Sequence, residues 1–261
     1  MAEFDRPPVR EVAISVRFTS PDVTVVDLVR WADRNFRDDY PNTEIQPPVD
    51  MPIETFGGFA ASGLQLRFTG SPLTRLWYAA EDGNRLIQLQ PGWLAVNWRD
   101  AGTGATYPRF SSVEAEFARV LRVFEDEFGS IAADQVEVTY VNEITRSAGE
   151  WTSHGELGQV LVLVGASVLG SEPLEQIQVK ASTVLGSVDR PLGRLHIEAT
   201  PALSARTREP VFLVNLTARG AAASPSTTDV LEFVATGHRA IVQGFVSATT
   251  ARARAYCGQH D

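Results

Sequence analysis

The sequence predicts an α+β protein built from two similar halves, whose antiparallel strands form a curved sheet with helices on one face. Three observations predict it. Short runs with a two-residue apolar period recur along the chain, turn signals separate several of them at hairpin spacing, and one order of elements is traversed twice.

The first half opens with a strand over residues 11–18, where Val12, Ile14, Val16 and Phe18 fall on one side. Ser20-Pro21-Asp22 ends it. Val26, Val29, Ala32 and Phe36 then recur at helical spacing, with Asp22 or Asp27 near the start and Tyr40-Pro41 as the stop. Residues 41–62, rich in proline and containing Gly57-Gly58, read as a long irregular stretch and a lid candidate. Four strands follow at 64–68, 75–80, 85–90 and 93–98. Asp82-Gly83-Asn84 and Pro91-Gly92 are turn signals, which makes these strands antiparallel. Ser111-Ser112-Val113-Glu114 resembles a capping box opening a helix, and Gly129 closes it.

The second half repeats the order. Residues 136–144 read as a strand, and 154–163 as a helix weakened by Gly155 and Gly158. Strands are expected at 177–185, 195–200 and 211–218, and a closing helix from Thr227 to about Tyr256. Arg85-Leu86-Ile87-Gln88-Leu89 resembles Arg194-Leu195-His196-Ile197-Glu198 in the matching position. The halves are taken as residues 1–134 and 135–261, joined in one compact unit. The order of elements resembles the TATA-binding-protein-like architecture, two modules sharing one sheet about a pseudo-two-fold axis. That likeness is topological and implies nothing about DNA. The alternative is a helix-grip fold, with the sheet wrapped round the final helix.

Composition excludes several classes. Of 261 residues, 44% are hydrophobic and 21% charged, a mixture that buries a core. No apolar run approaches the ~20 residues of a membrane helix, and the N-terminus lacks the pattern of a secretory signal. A cytoplasmic protein with no membrane contact is expected. The single cysteine, Cys257, excludes an intramolecular disulfide and a cysteine-rich zinc site. Net charge is −9, with 13 basic and 20 acidic side chains in residues 1–134 and 10 and 12 in the remainder. Nucleic-acid binding is disfavoured, because neutralising phosphates needs a basic face.

The candidate site residues come from three clusters. On the strand ending Asn97-Trp98-Arg99, Asn97 and Arg99 share a face with Gln88 and Gln90 if Trp98 is core. An arginine fork in such a polar row could hold a carboxylate or phosphate. The competing structural reading pairs Arg99 with Glu114 or Glu116. Tyr107 follows closely. Tyr140 and Asn142 alternate onto one face of the strand opening the second half, facing either a ligand or an inter-half hydrogen-bond network. His196, two residues before Glu198, could form an acid/base pair, although a structural histidine is the commoner case. His238 sits on the apolar side of a helix and reads as structural. No histidine or cysteine spacing fits a metal site, and no glycine-rich phosphate loop or nucleophile elbow occurs. No catalytic residue, cofactor or metal is therefore expected.

Several strings, taken together, extend this reading: Pro7-Pro8-Val9-Arg10-Glu11-Val12, Gln88-Leu89-Gln90, Asn97-Trp98-Arg99 with Tyr107-Pro108, Tyr140-Val141-Asn142-Glu143, and His238-Arg239-Ala240-Ile241 with Phe245. They resemble a sporadically distributed family of functionally uncharacterised bacterial proteins of about this length, along nearly the whole chain. The resemblance implies the architecture and assigns no chemistry. The functional expectation is a non-catalytic binding protein that presents its curved sheet to a protein or peptide partner, in an accessory bacterial system such as toxin neutralisation or phage defence. The alternatives are a small-molecule or enzymatic cavity between sheet and helices and, disfavoured by charge, nucleic-acid binding through the saddle.

Overall fold

A computed structural model describes residues 2–19, 23–49, 52–56, 74–165, 168–169 and 171–260. The expected strand at 64–68, the strand break at 20–22, and residues 50–51 and 57–62 of the lid candidate lie outside them. The elements in order are β1 (Glu3–Phe4), β2 (Val9–Thr19), α1 (Val25–Phe36), β3 (Asn42–Gln46), β4 (Arg75–Ala79), β5 (Arg85–Gln90), β6 (Trp93–Arg99), α2 (Phe110–Phe128) and β7 (Ala132–Thr145). There follow α3 (Arg146–Gly149), β8 (Val168–Leu169), β9 (Glu172–Pro173), β10 (Val179–Gly186), β11 (Pro191–Leu203), β12 (Pro210–Gly220), α4 (Thr227–Ala248), α5 (Ala251–Tyr256) and β13 (Gln259–His260).

Among the described residues nine strands form one open antiparallel sheet in the order β10-β11-β12-β7-β2-β6-β5-β4-β3. β2 and β7 pair at its centre, with Val12 opposite Tyr140 and Ile14 opposite Val138. Moving outward from that pair, each side meets its own last strand first, β6 on one side and β12 on the other. Two short ladders, β1 with β13 and β8 with β9, stand apart from the sheet.

Strand alternation divides the sheet into two unlike faces. Val12, Ile14, Val16, Val96, Val138 and Leu216 point to one side and are buried there. All three long helices cover that side: α1 lies against β4 and β5, α2 against β2 and β6, and α4 against β7, β11 and β12. The fully buried Trp31 of α1 meets Phe124 of α2 edge-on, with ring centroids 5.3 Å apart. Gly237 lets α4 approach the sheet closely, since a Cβ there would stand 3.1 Å from the Ala218 methyl and 3.3 Å from Val138. Among the described residues no helix is long and apolar enough to cross a membrane.

Several local expectations are corrected. The stretch read as irregular from residue 41 begins with β3, a mostly exposed edge strand paired to β4. Helix α1 is capped by Thr24 and Asp27, which bond each other's backbone reciprocally, and it ends at Phe36, before Tyr40-Pro41. The capping box expected at Ser111 does not form, because α2 begins one residue earlier behind Arg109, whose side chain makes no cap. No helix spans 154–163: only a 3-10 turn forms, over Leu157–Gln159. Gly155 and Gly158 explain it, since a Cβ would meet the Leu174 carbonyl oxygen at 1.8 Å or that of Val164 at 2.7 Å. Their backbone packs against neighbouring chain, where a helix would hold it away. The closing helix breaks at Thr249-Thr250. The Thr249 hydroxyl bonds back to the Phe245 carbonyl, and Thr250 caps α5. Among the described residues the sheet is not closed, and α1, α2 and α4 share its covered face.

Candidate functional site

A cavity of about 520 Å³ lies on the helix side of the sheet, where the start of α2, the middle of α4 and the N-terminal segment meet over β7 and the first residue of β2. Its walls are mainly apolar: Phe4, Pro7 and Pro8 from the N-terminal segment, Phe110 from α2, and Ile241 and Phe245 from α4. The N-terminal wall is held in place by strand pairing of β1 with β13, by an edge contact between Phe4 and Phe245, and by Arg109, which donates to the Phe4 carbonyl at 3.0 Å.

Three polar side chains converge in the cavity. The Tyr107 and Tyr140 hydroxyls lie 3.1 Å apart, and the Tyr140 hydroxyl lies 2.9 Å from Nδ1 of His238. The His238 ring stacks on Phe110 at 3.9 Å, almost parallel. Burial, helped by neighbouring Arg239, pushes the His238 pKa down to about 4, so the ring is neutral near pH 7. Burial pushes Tyr107 up to about 12 and raises Tyr140 further, so both phenols keep their protons. A neutral ring carries one N–H. If Tyr107 donates to Tyr140 and Tyr140 donates to Nδ1, that proton sits on Nε2, which has no protein hydrogen-bond partner among the described residues. In that arrangement the two hydroxyls and Nδ1 are all paired, and Nε2 is the ring atom without a protein partner among the described residues.

Arg109, at the cavity wall, has φ 74° and ψ 155°, a backbone region occupied almost only by glycine. Such a residue costs on the order of 1–3 kcal/mol and concentrates at functional sites.

The depressed His238 pKa gives a pH signature. In the unfolded chain the ring gains its proton near pH 6.5, but in the folded chain only near 4. Falling pH therefore stabilises the unfolded state first, and stability drops between these values while staying flat above them. After discounting for partial exposure, the loss is about 1–2 kcal/mol. Urea unfolding at pH 7.5 and 4.5 is expected to show that loss in the natural protein and not in His238→Phe, once the carboxylate contribution common to both is subtracted.

No protein-family model matches the chain, and no curated protein matches it.

The structure distributes the eight sequence-derived candidates over two opposite faces. Tyr107, Tyr140 and Asn142 are on the helix side and line the cavity, where Asn142 donates to the Val214 carbonyl of β12. Gln88, Gln90, Asn97, Arg99 and His196 are on the helix-free face. There Gln88 and Asn97 share an amide hydrogen bond of 2.9 Å, and Asn97 donates to Glu11 at 2.5 Å. Gln90 accepts from the Val49 amide. Arg99 donates to the Gly83 carbonyl and lies over the Trp77 ring, so its expected pairing with Glu114 or Glu116 does not occur. The polar row of the first half and the Tyr140–Asn142 pair thus do not share a surface.

The sequence reading takes His238 as structural and singles out none of Glu54, Arg194 and Arg219 as a site residue. His238 carried a signal, three residues before Ile241 and seven before Phe245 on one helix face, which placed it inside without naming its partner. Glu54 carried none, because its partners lie on strands 140 and more residues away. Among the described residues no group of three histidine, cysteine, aspartate or glutamate side chains is placed to hold a metal ion.

Proposed function

We propose that this chain is a binding protein for a small, largely apolar molecule, held in the cavity between α2, α4 and the N-terminal segment. The observation that carries this reading is the cavity itself. Its volume falls in the range of small-molecule sites, and its apolar walls surround a few convergent polar groups with perturbed pKa values. The His238 Nε2 atom reads one hydrogen-bonding group of the ligand, and the two phenols hold the ring in one orientation. The role is binding rather than catalysis, because a ring with a pKa of about 4 that is already engaged by Tyr140 is a poor proton acceptor near neutrality.

The same reading gives the two halves a purpose. We take them as a doubled module in the TATA-binding-protein-like arrangement, supported by the matching strand order outward from β2 and β7. The cavity then lies where the long helices that follow the sheet strands of each module, α2 and α4, approach each other over the central strands.

Ligand-observed NMR with mono- and bicyclic arenes carrying one phenol or one ketone tests the proposal. Some members are expected to bind the natural protein. Val242→Trp, which fills the cavity from α4, is expected to abolish binding while leaving the unfolding midpoint unchanged. Tyr140→Phe frees the His238 ring and is expected to weaken binding about tenfold, equivalent to about 1.4 kcal/mol. Binding that persists in Val242→Trp, or a panel in which no compound binds, overturns the reading.

A further inference from the structure

The helix-free face holds a second cluster that the cavity does not use. Residues 52–56, Pro-Ile-Glu-Thr-Phe, lie on that face over β7, β12 and β11 and place the Glu54 carboxylate beside Arg194, His196 and Arg219. Arg194 and Glu54 form a hydrogen-bonded ion pair, His196 Nε2 lies 2.9 Å from the second carboxylate oxygen, and Arg219 stands at 3.9 Å. The backbone is held as well: the Glu54 amide donates to Gln135 at 2.8 Å, the Gln135 amide donates to the Pro52 carbonyl at 3.0 Å, and Arg194 donates to the Thr55 carbonyl at 2.9 Å. The Arg194 guanidinium also sits 4.4 Å from the centre of the Phe56 ring. Burial works against the ionised Glu54, yet bonds from Arg194 and His196 outweigh it and hold the carboxyl below its ordinary range.

What this segment buries is unusual for a structural loop. Glu54 is the side chain it encloses, at 9% exposure, while Ile53 and Phe56 stay 48% and 39% exposed. A loop kept for stability ordinarily turns its apolar groups inward and its carboxylate outward. Here the order is reversed. Every bond the segment makes to the sheet, carboxylate to cations and backbone to the Gln135 amide, is one that another extended acidic peptide reproduces atom for atom. Removing Glu54 leaves Arg194 without its carboxylate, while Arg219 keeps Glu137 at 2.5 Å.

We infer that Arg194, His196, Arg219 and Gln135 form a docking site for an extended acidic segment of a partner protein, and that residues 52–56 occupy it as an internal ligand. The site lies on the face opposite the cavity, and neither proposal depends on the other. Exchange conserves the contacts, so a partner competes chiefly against the high local concentration of the tethered segment.

The test uses the full chain and a fluorescent peptide of its own residues 52–56. Glu54→Ala, checked for an intact circular-dichroism spectrum and unfolding midpoint, is expected to bind this peptide saturably in the millimolar range or tighter. The same peptide with glutamine in place of glutamate is expected to bind at least tenfold more weakly. Natural protein, with its site filled, is expected to bind the acidic peptide at least tenfold more weakly than Glu54→Ala does, and Glu54→Ala with Arg194→Ala is expected to lose it. If Glu54→Ala does not fold, Glu54→Gln, which keeps side-chain volume, replaces it under the same criteria. A folded variant that binds neither peptide at millimolar concentration, or binds both equally, overturns the inference.

Discussion

Asn97→Ala is expected to destabilise the protein by about 3 kcal/mol at pH 8 and by clearly less at pH 5. Asn97 is 3% exposed and joins two groups that cannot reach each other without it. Its Nδ2 donates to Glu11, and its Oδ1 accepts from Gln88, whose own oxygen accepts from both Arg75 and Trp77 at 2.9 Å. Truncation leaves a buried carboxylate without its donor and a buried amide without its acceptor. Each orphan costs about 1–3 kcal/mol, and the charged one lies at the upper end. The pH dependence follows from Glu11. Burial raises its pKa above the ordinary 4.5, against the opposing pull of Asn97 and Arg99. Losing Asn97 raises it further. The penalty belongs to the ionised form, so it is complete above the folded pKa and fades as falling pH protonates the carboxyl. Urea denaturation of both proteins at the two pH values measures it. A cost that is equal at pH 5 and pH 8 would mean that Glu11 is not the group being orphaned.

Trp31→Ala is expected to be costlier, about 3–5 kcal/mol. Trp31 is wholly buried at the centre of an aromatic group, with Phe36, Phe124 and Phe128 at centroid distances of 5.1, 5.3 and 6.0 Å. Its indole N–H donates to the Val123 carbonyl of α2 at 3.2 Å, so one side chain fastens α1 to α2. Alanine removes the ring, its edge contacts and the hydrogen bond together, and the surrounding rings are too large to close the space. The denaturation midpoint should fall with little change in slope, because the surface exposed on unfolding is nearly the same. Trp31→Phe, which keeps most of the volume and loses the donor, should cost about half as much. A drop below about 1 kcal/mol in Trp31→Ala would show that α1 does not depend on this contact.

Both side chains show how far the sequence could be read. Trp31 was not legible: the stripe read from the sequence was Val26, Val29, Ala32 and Phe36, whereas Leu28, Trp31, Ala32 and Phe36 are the buried residues of α1 and Val26 is exposed. Asn97 was half legible. Strand alternation put it on one face with Gln88 and Gln90, and the register agrees. That it spans Gln88 and Glu11 depends on β2 lying beside β6, a pairing between residues 86 positions apart. The helix expected at 154–163 does not form, for a similar reason. Periodicity counted its apolar residues, but the close approach of chain at Leu174 and Val164 decided the backbone.

The sequence by itself determined the α+β class and, where apolar residues alternate as in β2 and β7, the inward face of the strand, because side-chain periodicity is a property of neighbours in the chain. It also placed Tyr140 and Asn142 on one side of their strand. Only the tertiary structure decided that this side is the covered one, that His238 meets Tyr140 across 98 residues, and that Glu54 reaches Arg194 across 140. Those pairings are set by which strands lie adjacent and which helix crosses them. Alternation within a strand carries no record of either.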